Sequence, residues 1–406
     1  MPEMETAAFE TDLSLFKYDN LEQLPPAYRD LEADERTERI ESALDTLGDD
    51  VVILGHNYQR REIVEHADFI GDSYQLSKEA AESDADYVIF GGVTFMAESA
   101  DIITDDDQSV ILPSMEASCP MAGMAEALQV DAAWAELTAA LDDDEEIIPI
   151  TYMNSYADLK AFCAEQGGWC VRPPTPTRPS STPSRRATKY SSCPTSTSRE
   201  HGPPARHGRR NRRVGPWDAE GTDAADAVEN DVILWEGYCQ VHERFREHHI
   251  ESIREDYPDA NVIVHPECRR EVVEAADVAG STSTICESVA EADPGETWAI
   301  GTEIHLTHHL QRWHPEVNVV PLCGDAAWTA TRCARSTRTT SRGCLRNWSK
   351  VASATSSRSR PRRRNWHRSR WTECWRSNHD GRPDYDGRAG RRLRHRRAGG
   401  GARRGP

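Results

Sequence analysis

Residues 51–59, VVILGHNYQ, form an unbroken apolar run that ends in histidine, asparagine, tyrosine and glutamine. An apolar run without alternation is the signature of a parallel strand buried on both faces. Polar residues at its carboxyl end are what such a strand offers to a ligand. The pattern returns in EEIIPITYMN (145–154) and NVIVHPE (261–267). The strand-end trios His56-Asn57-Tyr58, Tyr152-Met153-Asn154 and His265-Pro266-Glu267 thus recur at a spacing of about 100 residues, the mark of an internal repeat.

Working outward from these strands, REIVEHADFIG, YADLKAFCAEQ and REVVEAADVAG read as helices behind them. Asp72-Ser73 caps a further helix, SYQLSKEAAESD. DLEADERTERIESALDTLGDD, stopped at Gly48-Asp49-Asp50, precedes the first strand as a helix. DYVIFGG, SVILPS, DVILWEGYC, ETWAIGTE and VNVVPLC supply the remaining strands. Strands alternating with helices predict an α/β fold with parallel sheets. The threefold recurrence predicts three similar α/β domains (residues 20–125, 126–240 and 241–327) in a pseudo-threefold arrangement around a central active site.

Charge is distributed unevenly along the 406 residues, whose formal net charge is −20. Residues 169–216 hold 11 Lys+Arg and one acid, Glu200, and residues 328–406 hold 23 Lys+Arg and 4 acids. The other 279 residues carry 14 basic and 63 acidic side chains, a net of −49. A body that acidic repels itself at ordinary ionic strength and is tolerated where concentrated salt screens it, which predicts a protein of a salt-accumulating halophile. No window approaches the roughly 18 apolar residues of a membrane span. The acidic start MPEMETAAFETDLSLF lacks the basic lead and apolar run of a signal peptide. The expectation is a cytoplasmic protein that neither spans nor binds a membrane.

The two basic stretches are Ser, Thr, Pro and Arg with almost no apolar periodicity. One reading is a disordered linker and a disordered basic tail. The other is a shifted reading frame. Joining the last base of each codon to the first two of the next turns WCVRPPTPTRPSSTPS into VVCTSSNADTAFEYA and KYSSCPTSTS into VLFLPDKH. The same offset turns AWTATRCARSTRTTSRGCL into MDCNAMRQIDPNYLAWVL. A one-base loss near residue 168, a compensating gain near 216 and a second loss at 327 account for all three, and predict that these stretches cannot form the cores expected of them.

Cysteine usage in an acidic chain without a signal peptide argues against disulfides. Cys163, Cys268 and Cys286 sit in helical patterns and read as small apolar core residues. Cys119 and Cys239 each follow an apolar strand at an equivalent place, which opens a ligand reading; Cys323 marks the third such place. Three thiolates from three domains would hold a 4Fe-4S cluster with one iron open to act as a Lewis acid. Tyr58 and Glu267 supply a phenol and a carboxylate for proton transfer, as a dehydration needs. His56 and His265 read either as hydrogen-bonded structural residues or as polar groups of the site. Ser73 at a helix start reads either as a plain cap or as an anion donor, and the loop GSTST (280–284) has the same anion-binding capacity.

GHNYQ, GDS, the Cys119 strand end, TYMN, WEGYC-x-VHE, HPEC, GSTS and IGTE, in this order, resemble quinolinate synthase. The resemblance spans about residues 20–326, and the shifted-frame TSS, LPDKH and MDCNAM strings extend it. It implies condensation of iminosuccinate with dihydroxyacetone phosphate to quinolinate, losing phosphate and water, in de novo NAD synthesis. It implies a 4Fe-4S cluster on three cysteines, of which Cys119 and Cys239 match the first two. It implies substrate contacts from His56, Ser73, Tyr152, Asn154, His265, Glu267 and Thr282, with Glu267, Tyr58 and His56 as catalytic groups. The third cluster cysteine belongs to the MDCNAM string, which here reads AWTATRC, and the TSS loop is overwritten as well. The polypeptide as it stands is therefore expected to be inactive unless Cys323 substitutes. In the other offset, GRAGRRLRHRRAGGG (387–401) is compatible with VVLVVGSGIAGLAAA, the start of a dinucleotide-binding fold. That would fit a neighbouring L-aspartate oxidase, a source of iminosuccinate.

Two other classes compete. A non-catalytic α/β protein with a nucleic-acid-binding basic tail takes the tail at face value. That tail lacks interleaved aromatics on a periodic face and adjoins a strongly acidic body, so no nucleic-acid partner is expected. An iron–sulfur electron carrier would leave the polar trios without a task.

Overall fold

The computed structural model describes residues 31–114, 117–143, 145–171, 187–193, 214–217 and 222–323. Helix α1 (Ala33–Leu47) ends at Gly48, whose φ of 56° closes the helix in a conformation that a side chain resists. The chain then enters β1 (Val51–His56), in which every residue is buried. There follow α2 (Arg61–Val64), β2 (Phe69–Gly71), α3 (Ser73–Glu82), β3 (Tyr87–Gly91), α4 (Thr94–Ile103) and β4 (Ser109–Ile111). The four strands form one parallel sheet in the order β2-β1-β3-β4.

A second sheet begins after α5 (Ala127–Ala139) with β5 (Glu145–Tyr152), α6 (Ala157–Glu165), β6 (Trp169–Val171) and β7 (Ala187–Cys193). It is completed by β8 (Val214–Trp217), α7 (Ala224–Ala227) and β9 (Val232–Trp235), in the order β6-β5-β7-β9-β8. The third sheet follows α8 (Glu247–Asp256) and contains β10 (Asn261–Val264), β11 (Val278–Ala279), β12 (Thr297–Gly301) and β13 (Asn318–Pro321). Its order is β11-β10-β12-β13, with α9 (Arg270–Ala275), α10 (Thr282–Ala290) and α11 (Ile304–Trp313) between the strands. All pairings are parallel, so the α/β class with short parallel sheets is the observed one. Among the described residues no helix is long and apolar enough to cross a membrane.

Three readings of the sequence are corrected. REIVEHADFIG and REVVEAADVAG are not helices throughout: each makes a short helix and returns as an edge strand. The same device stops both. Asp68 accepts a hydrogen bond from the Ile53 N–H at 2.9 Å, and Asp277 accepts one from the Val262 N–H at 2.8 Å. Each aspartate so pins the chain to the inner strand, a tertiary bond that helical periodicity does not register. The third correction concerns the basic segment 169–216, one reading of which is a disordered linker. Its backbone supplies β6, the β7 ladder between β5 and β9, and most of β8. Ladder bonds are made by main-chain groups, so they form without the apolar pattern that usually accompanies them. The tail 328–406 and residues 20–30 of the first proposed domain lie outside the described residues.

Each sheet is embedded in apolar side chains. Leu54, Val88 and Phe90 of the first sheet are fully buried against Leu76 and Ala80 of α3 and Phe95 and Ala100 of α4. Ile263 and Ile300 of the third pack on Ile285, Leu306 and Leu310. The first and second sheets are tied through their helices: the buried Lys160 of α6 donates from Nζ to Ser99 Oγ of α4 at 2.8 Å and lies over the Phe95 ring. Nearby, Glu98 accepts from the Ala157 N–H at 3.0 Å.

Candidate active site

The inner strands β1, β5 and β10 each sit second from the edge of their sheet, and their carboxyl ends open on one cavity of about 130 Å³. The catalytic, substrate-contacting and cluster residues implied by the resemblance all line it. From the first sheet come His56, Tyr58, Ser73 and Cys119; from the second, Tyr152, Asn154 and Cys239; from the third, His265, Glu267 and Thr282.

Two strand-end histidines are built alike. The Tyr58 N–H donates to His56 Nδ1 at 3.2 Å, and the Glu267 N–H donates to His265 Nδ1 at 3.2 Å. An Nδ1 that accepts carries no proton, so each neutral ring keeps its hydrogen on Nε2. Burial lowers His56 to about 4, against the raising influence of Asp72 and Glu303. Burial likewise lowers His265, to about 3. Both rings are therefore neutral donors at physiological pH.

The His56 value makes stability depend on pH. Its pKa in the folded chain is depressed below the ordinary 6.5, so on acidification the unfolded chain takes up the proton first. Stability from this group is lost as pH falls from 6.5 to about 4, by up to roughly 1.4 kcal/mol per pH unit. Denaturant midpoints measured across that range are expected to fall, and His56→Asn is expected to flatten the slope. Curves that run parallel for the two proteins would contradict the assignment.

A hydrogen-bonded chain crosses the cavity wall. The Tyr58 hydroxyl lies 2.7 Å from Thr302 Oγ1, which lies 2.9 Å from His242 Nε2; His242 Nδ1 lies 3.1 Å from Glu267 Oε2. The His242 ring stacks on His265, with centroids 4.4 Å apart. Burial alone would raise Glu267, but the His265 and His242 imidazoles, one of them hydrogen-bonded to it, reverse the effect and hold the carboxyl at about 2. Burial pushes the Tyr58 phenol well above its ordinary value, with the Thr302 bond opposing. One end of the chain is thus a firm carboxylate and the other a firm phenol.

His242 and Thr302 were not singled out in the sequence, although both stand inside quoted motifs, VHE and IGTE. Their signal is spatial. Only the packing of β12 beside β10 and the turn after Cys239 brings a residue of each motif between Tyr58 and Glu267.

Other expectations shift in detail. Asp72, not Ser73, caps α3, accepting from the Tyr74 and Gln75 N–H groups at 2.9 Å. Ser73 Oγ is left to face Asn154 Oδ1 at 3.5 Å, across the join of the first two sheets. Asn57, the middle residue of the first strand-end trio, donates to Thr282 Oγ1 at 3.2 Å, and Ser283 donates to Asp72 at 2.7 Å, joining first sheet to third.

Cys119 and Cys239 stand past their strands rather than at the ends, each three residues before a tight helical turn, Ala122–Met124 and His242–Arg244. The carbonyl of each accepts from the amide four residues on, at 3.3 and 2.9 Å. Burial pushes the Cys119 thiol up to about 11 and raises the Cys239 thiol well above its ordinary value. Cys163 and Cys268 are buried as expected, though Cys268 lies in a turn rather than a helix; Cys286 is partly buried in α10.

A family model described as "Quinolinate synthetase A protein" matches residues 38–174 and 208–356. A quinolinate synthase of Haloarcula marismortui is 84% identical over 339 residues, covering 80% of this chain and 86% of its own length. One of Halobacterium salinarum is 70% identical over 325 residues, with the same coverages.

The chain belongs to the quinolinate synthase family.

A quinolinate synthase of Bacillus cereus, 41% identical over 313 residues and covering 74% of this chain and 82% of its own, carries the likeness beyond salt-adapted relatives. The stretch that the quinolinate synthase model leaves unmatched, residues 175–207, lies inside the basic segment 169–216.

The 4Fe-4S cluster expected from the sequence calls for three thiolates. Among the described residues only Cys119 and Cys239 line the cavity. Cys323 packs instead against the core of the third sheet, beside Leu322 and Val320. Cys170 packs with Cys119 and Cys239 around Met121, Tyr152 and Met153 without lining the cavity, so the described cysteines that line it are one short of the three-thiolate set and Cys323 does not complete it.

Proposed function

We propose that this cavity is built for the condensation of iminosuccinate with dihydroxyacetone phosphate to quinolinate, with loss of phosphate and water, in de novo NAD synthesis. The observation that carries the reading is the chain Tyr58–Thr302–His242–Glu267 within a cavity lined by the polar ends of three sheets, in a member of this family. Enamine formation, cyclisation and dehydration each need a proton taken from carbon or nitrogen and one given to a departing oxygen. Tyr58 is the group that meets the substrate oxygen. Thr302 and His242 carry charge between it and Glu267, which remains the anion that balances a protonated imidazole. The neutral Nε2–H groups of His56 and His265 donate to substrate carboxylate or phosphate oxygens without adding a fixed positive charge. Ser73, Tyr152, Asn154 and Thr282 contribute further polar contacts around the same space.

In this reading the three sheets are the centres of three similar domains, over residues 20–125, 126–240 and 241–327, in a pseudo-threefold arrangement. Cys119 and Cys239 are two of three cluster ligands, the third being lost from the chain with the reading frame at 327. The polypeptide as it stands is inactive for this reaction, and the frame-restored chain is active. Iminosuccinate is supplied by an L-aspartate oxidase, and the setting is a salt-rich cytoplasm. The experiment is an anaerobic assay of the frame-restored chain with both substrates, reading quinolinate by chromatography. Failure to form quinolinate in a chain that has bound its cluster would refute the reading.

A further inference from the structure

The cavity is short of positive charge for the anions it is proposed to take. Asp72 and Glu267 both line it, His56 and His265 are neutral, and the body around it is strongly acidic. A phosphate monoester such as dihydroxyacetone phosphate carries roughly 1.5–2 negative charges near neutral pH, and acidic walls repel it. Among the described residues, Arg244 is the one Lys or Arg in the lining.

The fold fixes Arg244 from both sides. It closes the tight turn His242–Arg244, where its N–H donates to the Val241 carbonyl at 3.3 Å. On one side Glu243 is ion-paired with Arg269, and the Glu243 carbonyl accepts from Arg269 Nε at 3.3 Å. The acid next to Arg244 in sequence is thus engaged by another arginine. On the other side Phe245, 1% exposed, is anchored in the core of the third sheet. Between these two fastened neighbours Arg244 lines the cavity and is also exposed to solvent, which places it at the mouth.

That place suits one anion of the two substrates. Both carboxylates of iminosuccinate stay on the product, whereas phosphate departs as a separate ion and needs a subsite open to solvent. A guanidinium offers phosphate a planar pair of donors together with a permanent charge, which neutral imidazoles do not. We propose that Arg244 binds the phosphate group of dihydroxyacetone phosphate at the mouth of the cavity and sets the preference for a phosphorylated co-substrate, an assignment that rests on the quinolinate reading of the same site.

The test is calorimetric titration of the full chain, shown by circular dichroism to be folded, with dihydroxyacetone phosphate, inorganic phosphate and succinate in turn, at constant KCl. Arg244→Met is expected to weaken both phosphate compounds about 10- to 100-fold, as the loss of hydrogen bonds between charged groups does, and to leave succinate binding as it was. Arg244→Lys keeps the charge without the fork and should recover part of the loss. Arg39→Met removes a cation from the surface of α1, where Arg39 pairs with Glu35 at 2.7 Å, and should leave all three affinities unchanged. The proposal is overturned if the folded chain binds neither phosphate compound, if Arg244→Met binds them as tightly as before, if succinate weakens as much as they do, or if Arg39→Met has the same effect as Arg244→Met. In the frame-restored chain Arg244→Met should raise KM for dihydroxyacetone phosphate by a similar factor and not KM for iminosuccinate. Quinolinate formed with an unchanged KM would overturn this assignment alone. No quinolinate from the cluster-loaded, restored chain, with the binding results as expected, would overturn the reaction and leave Arg244 as a phosphate site.

Discussion

Glu267→Gln in the frame-restored chain is expected to keep the bound cluster and lose turnover by about 10²- to 10⁴-fold, the range that a positioned acid or base contributes. Glutamine fills the same space but carries no charge to balance a proton on His242, 3.1 Å away. Removing any link of the chain from Tyr58 to Glu267 interrupts the same transfer, so the losses should not add. His242→Gln and the double variant with Glu267→Gln should therefore fall to similar rates. The check is kcat for quinolinate formation, with iron and sulfide counted on each preparation to separate lost chemistry from lost cofactor. Unchanged turnover in Glu267→Gln would remove that residue from the mechanism.

Restoring the frame at residues 168, 216 and 327 is the second change with a large expected effect. In the chain as it stands, the described cysteines lining the cavity are Cys119 and Cys239. Two thiolates leave a four-iron cluster two ligands short, where the family arrangement implied by the sequence leaves one iron open. The unaltered chain should take up no complete cluster on anaerobic reconstitution, and the restored chain should take up four irons and four sulfides, as a 4Fe-4S cluster requires. The nucleotide sequence gives an independent check, since a continuous frame through all three positions in a clean read would sink the explanation. The offset that recovers MDCNAM also recovers VLFLPDKH from KYSSCPTSTS, which favours it. The family match skips residues 175–207 within the basic segment but runs on to residue 356, past the proposed loss at 327.

The fold was legible because VVILGH, EEIIPITY and NVIV carry apolar runs too short for anything but buried parallel strands, and each ends in polar residues. The edge strands β2 and β11 were not legible. A helix that stops after one or two turns and a helix that continues have the same periodicity, and what stops them is the tertiary bond of Asp68 or Asp277. At the site, residues at strand ends were readable because their position has meaning in one dimension. His242 and Thr302 act through neighbours far away in sequence, so nothing local marked them. The β7 ladder was hidden for the opposite reason: its side-chain pattern says loop, while its backbone pairs over Ala187–Cys193.

The most direct measurement compares quinolinate formation from iminosuccinate and dihydroxyacetone phosphate by the chain as it stands and by the frame-restored chain, prepared and reconstituted identically. The account predicts quinolinate with matching phosphate release from the restored chain and none from the unaltered one. Equal rates from both would contradict the frame explanation. Phosphate release without quinolinate from the restored, cluster-loaded chain would contradict the function itself.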